Sequence, residues 1–223
     1  PRTHHPGSWH RPAMKWAGIV AALLLGLSSV ARADRYEAAI SVQPHGGLAW
    51  VREEGASAPE RVPGGGAVMR MSYGLRDWLA VDGELGIATL GAATFDDVEV
   101  SIGGAPASPQ SLTRTTQSAR FLLGANLRLG VAWIPTFSLG LGAQLRRRGD
   151  ANVSGSDLVP VGREGGISVD PVVAVRAGIE RRLNARWLVG ASVGLSRAVT
   201  SPAIDSAEVA VVVSRCWYPS WGP

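Results

Sequence analysis

Apolar residues recur at every second position through most of the chain, beginning near residue 36. A period of two places alternate side chains on opposite faces of a β-strand. No segment in this region sustains a helical period, so the sequence predicts an all-β fold. The predicted strands are eight: Tyr36–Trp50, Ala67–Leu75, Leu79–Ile87, Arg120–Leu129, Phe137–Arg146, Ile167–Glu180, Val189–Ser196 and Ala207–Val213. In the first of them, Pro44 and Gly46-Gly47 interrupt the alternation and predict a bulge or bend.

The connections between the predicted strands alternate in length. Short ones lie at Arg76-Asp77, Val131–Pro135 and Leu183–Arg186. The others are mostly long and contain the Gly, Pro, Ser and Asp residues of turns and flexible loops. They lie at Glu53–Gly65, Phe95–Thr115, Gly149–Gly166 and Thr200–Ser206. This alternation predicts an antiparallel up-and-down arrangement with short turns at one end and long loops at the other.

Alternation alone leaves open which face is inside. A soluble barrel encloses its apolar face, whereas a membrane barrel presents that face to lipid. The apolar faces of the central strands carry no charge, and the polar faces are rich in Gly, Ala and Ser. The charges on the polar faces balance, as a closed lumen requires, because an unpaired buried charge is strongly destabilising. This predicted lumen charge network comprises Arg70, Asp82, Glu84, Arg120, Arg128, Arg146, Asp170, Arg176, Glu180 and Glu208.

Composition also favours lipid on the outside. The net charge is +4, but four of the 22 basic residues, Arg2, Arg11, Lys15 and Arg32, precede Asp34. Beyond them the basic residues are all arginines and balance the 18 acidic residues. A water-facing surface would be expected to carry lysines freely, and none follows Lys15. The basic balance therefore gives no argument for a nucleic-acid partner.

The N-terminal region has the organisation of a secretory signal peptide. In residues 14–33, Lys15 precedes an apolar run from Trp16 to Val30, and Ala31-Arg32-Ala33 forms an A-x-A cleavage site. The run is too short to span a bilayer as a helix, which takes about 20 residues. We expect residues 1–13 to be an unstructured upstream extension and residues 34–223 to form the exported barrel.

From about Tyr36 onward the chain resembles the eight-stranded bacterial outer-membrane barrels of the OmpA or OmpW type. The signal peptide, eight alternating strands, unequal connections, and turns such as "LRDWLA" and "NARWLV" carry this resemblance. It implies a closed antiparallel up-and-down transmembrane β-barrel in the outer membrane of a Gram-negative bacterium, with both termini periplasmic. It also implies a non-catalytic structural or narrow-pore role and a monomer. The expected partners are outer-membrane lipid, lipopolysaccharide and the barrel assembly machinery, with no cofactor.

Tryptophans occur at all three short turns. In such a barrel, Trp78, Trp133 and Trp187 would lie where strands enter the membrane from the periplasm, and Trp217 and Tyr218 would reach the same level. Amphipathic rings prefer the headgroup region, so these residues predict a periplasmic aromatic girdle. The competing hypothesis makes them aromatic plugs at the bottom of a soluble barrel.

Two other functions stay open on the sequence. A soluble periplasmic barrel that binds a hydrophobic ligand would show the same alternation. A lipid A-modifying barrel enzyme would need a histidine between a nucleophile and a carboxylate. His45, with a serine of a neighbouring strand and Glu208 or Glu84, is the candidate, and no other histidine follows Asp34.

A single cysteine, Cys216, excludes a cysteine metal cluster.

Overall fold

A computed structural model describes residues 36–53, 56, 58–100, 108–154, 165–199 and 204–218. The predicted extension and signal peptide lie outside these residues. Within them the chain forms nine strands: β1 (Ala38–Val51), β2 (Glu60–Arg76), β3 (Leu79–Val100), β4 (Ser108–Arg128), β5 (Trp133–Arg148), β6 (Asn152–Ser154), β7 (Ile167–Asn184), β8 (Trp187–Ala198) and β9 (Ile204–Trp217). No helix in the described part of the chain is long and apolar enough to cross a membrane.

Eight of the strands close into an antiparallel barrel. Each pairs with its neighbours in chain order, and β1 also pairs with β9, from Ala38↔Trp217 to Val51↔Ile204. The short strand β6 stands outside the ring and pairs with β4 at Ser111–Thr113. Because closure gives every barrel strand two neighbours, the ring has no open edge. The predicted eight-stranded up-and-down fold is confirmed.

The two ends of the barrel differ as predicted. Residues 77–78, 129–132 and 185–186 make tight connections at one end, which we call the turn end. Gly130 adopts a φ of 105° there, a left-handed conformation that favours glycine. The Asn184 side chain accepts hydrogen bonds from the backbone N–H groups of Arg186 and Trp187, at 2.8 and 3.1 Å, and holds the last of these turns. The opposite end is the loop end.

Several predicted boundaries are wrong at the loop end. Residues Phe95–Thr115 were expected to form a loop, yet β3 runs to Val100 and β4 starts at Ser108. Likewise, Glu53–Gly65 was expected to form a loop, yet β2 begins at Glu60. At this end the strands continue to pair past the point where their outer faces stop being apolar. The pairing continues because inward side chains such as Phe95 and Leu112 pack into a buried cluster. The interruption predicted in β1 is limited to its β9 side, where the ladder skips Gln43 and Pro44, while its pairing with β2 is continuous.

The apolar faces point outward and the polar faces inward. Large exposed residues such as Ile87 (66% exposed), Leu123 and Val209 form an apolar belt around the barrel. On β8, nine residues separate the exposed Trp187 from the exposed Arg197. That height agrees with the roughly 9–11 residues of a transmembrane β-strand. This polarity is that of a membrane barrel and the opposite of the one that the soluble alternative requires.

Buried apolar groups occupy both ends of the interior. At the turn end, Ala39, Ile134, Leu188 and Cys216 form one cluster. At the loop end, a larger cluster includes Val51, Val62, Phe95, Val98, Leu112 and Ala151. The central charges of the lumen lie between these two clusters, and a third buried group, Leu122, Val172 and Ala174, lies beside them.

Candidate functional site

Four charged side chains meet across the middle of the lumen. Glu84 comes from β3, Arg120 from β4, Arg176 from β7 and Glu208 from β9. All four occupy inward positions of their strands, so the closed ring aims them at a shared centre. We call these residues the central network.

Each arginine of the central network contacts both carboxylates. Arg120 donates from Nε to Glu84 (2.9 Å) and from its terminal nitrogens to Glu208 (2.8 and 3.1 Å). Arg176 donates to Glu84 at 2.7 and 3.3 Å and to Glu208 at 2.9 Å. Charge-assisted pairs of this kind are the strong class of hydrogen bond. The four charges sum to zero and bridge strands from opposite sides of the barrel.

Glycines beside the network give its long side chains room. Gly86 pairs with Arg120 across β3 and β4, and a Cβ there would lie 3.1 Å from Arg120 Cγ and Nε. Gly194 pairs with Glu208, and a Cβ there would lie 3.1 Å from the Glu208 Oε1 and 3.4 Å from Arg176 Nε. The glycine content of the polar faces therefore has a packing reason. Small residues on some strands accommodate large charged ones from others.

Further ion pairs lie on either side of the central network. Arg70 contacts Asp82 at 2.8 Å on the neighbouring strand. Towards the turn end, Arg128 lies 3.2 Å from Glu37 and 3.9 Å from Glu180. Towards the loop end, Arg146 donates from Nε to Asp170 at 2.9 Å. The ten residues of the predicted charge network thus all lie in the lumen, and each forms an ion pair with another charged residue there.

Four lumen charges are absent from the predicted set. Glu37 accepts from Arg128 and, at 2.8 Å, from Arg182. Glu53 and Arg114 form a buried pair at 3.3 Å near the loop end. Glu53, Arg114 and Arg182 lie beyond the ends of the predicted strands, whereas Glu37 lies in the first predicted strand, where Pro44 and Gly46-Gly47 interrupt the alternation. The inward side chains of β1 fall at odd-numbered positions from Ala39 to Val51. Continuing this alternation by one inward position at each end reaches Glu37 and Glu53.

A small cavity lies beside the central network. Its volume is about 50 Å³, and its lining includes His45, Ser118, Arg120, Gln144 and Glu208. That space holds water-sized molecules rather than a large solute. The lumen is therefore filled by side chains, as expected of eight strands.

The structure brings together only part of the predicted catalytic group. His45 Nε2 lies 3.8 Å from Glu208 Oε2, too far for a hydrogen bond. His45 Nδ1 has no hydrogen-bond partner among the described residues. Ser196 and Ser206 also line the cavity, but they hydrogen-bond to each other at 2.6 Å. Both Glu208 oxygens are held by arginines. The described groups therefore do not form a serine–histidine–carboxylate relay.

The residues of the predicted aromatic girdle are placed at the turn end. Trp78 lies in the β2–β3 turn, Trp133 and Trp187 begin β5 and β8, and Trp217 ends β9, with Tyr218 directly after it. All five side chains are exposed. Trp133 additionally contacts an arginine, since Arg181 Cζ lies 5.2 Å from its ring centroid.

Similarity to known proteins is confined to structure. No protein-family model matches the chain, and no curated protein matches it in sequence. Among solved structures, Ail of Yersinia pestis is 12% identical with a TM-score of 0.48, covering 82% of this chain and 100% of its own. Neisserial surface protein A is 12% identical with a TM-score of 0.46, covering 79% and 97%.

A third solved structure is the N-terminal β-barrel domain of Pseudomonas aeruginosa OprF. It is 17% identical with a TM-score of 0.41 and covers 81% of this chain and 98% of its own. At such scores these matches carry no argument about function. The fold itself rests on the closed pairing of the eight strands.

Proposed function

We propose that this chain is an integral outer-membrane β-barrel protein of a Gram-negative bacterium, with a non-catalytic, structural role and a loop end that makes surface contacts. One observation carries the proposal: the barrel is apolar outside and charged inside. Exposed Leu85, Leu123 and Val211 would be unfavourable in water, whereas the buried ion pairs would be unnecessary in a soluble core. Outer-membrane barrels have this polarity.

The lumen supports a closed or very narrow passage. The central network crosses it, with apolar clusters towards each end. An eight-stranded barrel has an interior that side chains just fill, whereas porins with an aqueous channel have 16–18 strands. A continuous pathway would require the Arg120–Glu208 or Arg176–Glu84 contacts to separate.

Orientation and partners extend the same proposal. Short turns face the periplasm in outer-membrane barrels, so the turn end, with Ala38 and Trp217, would be periplasmic. The loop end would then face lipopolysaccharide. Arg147 is exposed there, whereas the adjacent Arg146 points inward and pairs with Asp170. Folding into the membrane would use the barrel assembly machinery, and the product would be a monomer.

Fractionation tests the proposal most directly. The full chain, expressed in a Gram-negative host, should be found in the outer-membrane fraction and require detergent for extraction. Unboiled protein should migrate differently from boiled protein on a gel, because the folded barrel resists detergent. Recovery in the soluble periplasm without detergent would contradict the membrane assignment. In planar bilayers, openings of porin size would contradict the closed lumen.

A further inference from the structure

Three of the four exposed arginines described at the turn end gather on one side of it, while the fourth, Arg76, lies at the end of β2 beside Asp77. Arg181 lies on β7, Arg186 in the β7–β8 turn and Arg215 on β9, and all three side chains are exposed. No ion pair joins them to a carboxylate in the described part of the chain. The exposed aspartate described at this end, Asp77, lies in the β2–β3 turn, across the ring from β7 and β8. This side of the turn end is therefore locally positive.

Two of these arginines each have a tryptophan as their direct partner on the next strand. Trp133 of β5 pairs with Arg181, whose Cζ lies 5.2 Å from the centroid of the indole ring. Trp187 of β8 pairs with Arg215. Stacking on an aromatic face holds a guanidinium while leaving its N–H donors free. We call Trp133, Arg181, Arg186, Trp187 and Arg215 the basic patch, which spans the adjacent strands β5, β7, β8 and β9.

The loop end lacks such an imbalance. Its exposed arginines are interspersed with carboxylates, and Arg197 lies 3.6 Å from Asp205. The described exposed or half-exposed charges at this end are Arg52, Arg61, Arg147, Arg148 and Arg197 together with Glu60, Asp96, Asp150 and Asp205. Solvation alone would explain arginines at either end. It does not explain why those of the turn end are without carboxylate partners and lie beside tryptophans.

We propose that the basic patch binds the phosphate groups of anionic glycerophospholipids in the leaflet that surrounds the turn end. Tryptophan rings prefer the depth of lipid headgroups, which places the adjacent guanidinium groups at the level of the phosphates. Arginine matches phosphate oxygens with paired N–H donors. Each basic group near an anionic membrane surface contributes about 1 kcal/mol, a factor of roughly five in binding. This inference rests on the proposed placement of the barrel in a membrane.

Retention of phosphatidylglycerol provides the test. The full chain is folded into vesicles of phosphatidylcholine with and without phosphatidylglycerol, then extracted, and the co-purified phosphatidylglycerol is quantified by mass spectrometry. Wild-type protein should retain phosphatidylglycerol over phosphatidylcholine. Arg181→Gln combined with Arg215→Gln should lower this selectivity by about 25-fold, from the fivefold per arginine above. Arg197→Gln, which also removes one exposed arginine, is the matched control and should leave selectivity near that of the wild type.

The outcomes separate this inference from the proposed function. Equal selectivity in the double variant and the wild type would overturn it, as would an equal loss in Arg197→Gln, because the effect would then be one of net charge. The heat-dependent gel shift in phosphatidylcholine vesicles reports folding independently of the anionic lipid. A wild type that folds there without retaining phosphatidylglycerol refutes only the basic patch. Arg181→Lys with Arg215→Lys should retain part of the selectivity, which excludes misfolding as the cause of a loss.

Discussion

The central network and the Arg197–Asp205 pair use the same chemical groups in opposite surroundings. The network side chains are about nine-tenths buried and joined by contacts of 2.7 to 3.3 Å. At the loop end, Arg197 and Asp205 are 72% and 47% exposed and lie 3.6 Å apart. Water solvates the exposed pair whether or not its members meet. Bulk water does not reach the network to replace a lost partner, so an ion pair has a large effect where the barrel excludes bulk water.

The largest expected effect follows from leaving one charge unpaired in the lumen. Arg176→Met removes donors from both Glu84 and Glu208 and leaves the network with a net negative charge. We expect a loss of about 3–5 kcal/mol in the free energy of unfolding, measured by urea titration of the barrel in vesicles.

A double variant sharpens this prediction. Arg120→Met combined with Glu84→Met removes one charge of each sign and leaves the Arg176–Glu208 contact at 2.9 Å. Its loss of stability should be smaller than that of Arg120→Met alone, since no unpaired charge remains. A double variant less stable than the single one would show that packing, rather than charge balance, dominates the network.

A charge placed on the outside of the same strands tests the opposite face. Leu123 is 59% exposed in the middle of the apolar belt on β4. Leu123→Arg should destabilise the barrel in vesicles by about 2–4 kcal/mol, because the charge would face hydrocarbon. Gln117→Arg, on the same face nearer the loop end, should cost only about 0–1 kcal/mol. Equal effects at the two positions would contradict the depth assigned to the belt.

The smallest effect belongs to the exposed pair. Arg197→Gln should change the free energy of unfolding by less than about 0.5 kcal/mol. Raising the salt concentration should shrink even that difference, because exposed charges are screened. A loss approaching that of Arg176→Met would refute the distinction between buried and exposed pairs on which the comparison depends.

Alternation predicted the strands accurately where one face of the strand is apolar and the other is polar. Between Leu79 and Ile87 apolar and polar positions alternate strictly, and both the strand and its faces were predictable. Beyond Ile87, towards the loop end, the outward face of β3 carries Thr89, Thr94 and Asp96 and, of apolar residues, the small Ala92. The alternation fades there, although the pairing continues to Val100. Outside the belt the outer face no longer has to be apolar, so the signal ends before the strand does.

The candidate site was predictable as a set of residues and unpredictable as a set of contacts. The alternation of side chains along each strand identified the ten inward charged residues, including Arg70 and Asp82 on adjacent strands. Alternation does not identify partners that are distant in the sequence. Arg120 and Glu208 are 88 residues apart, and Glu84 and Arg176 are 92 residues apart. Arg182 was missed because it lies beyond the predicted end of its strand at Glu180, and Glu37 because the alternation is interrupted in the first predicted strand.

The sequence by itself determined the number of barrel strands, their antiparallel order and the side on which each residue lies, because these depend only on a period of two and the lengths of connections. The tertiary structure confirmed that the polar side is the inside, and it decided which arginine meets which carboxylate and that Trp133 and Trp187 each lie beside an arginine without a carboxylate partner. The contacts in the lumen arise only when β1 closes on β9, since closure brings distant side chains into one small volume from which bulk water is excluded. The tryptophan–arginine neighbours depend instead on the register of β5 with β7 and of β8 with β9.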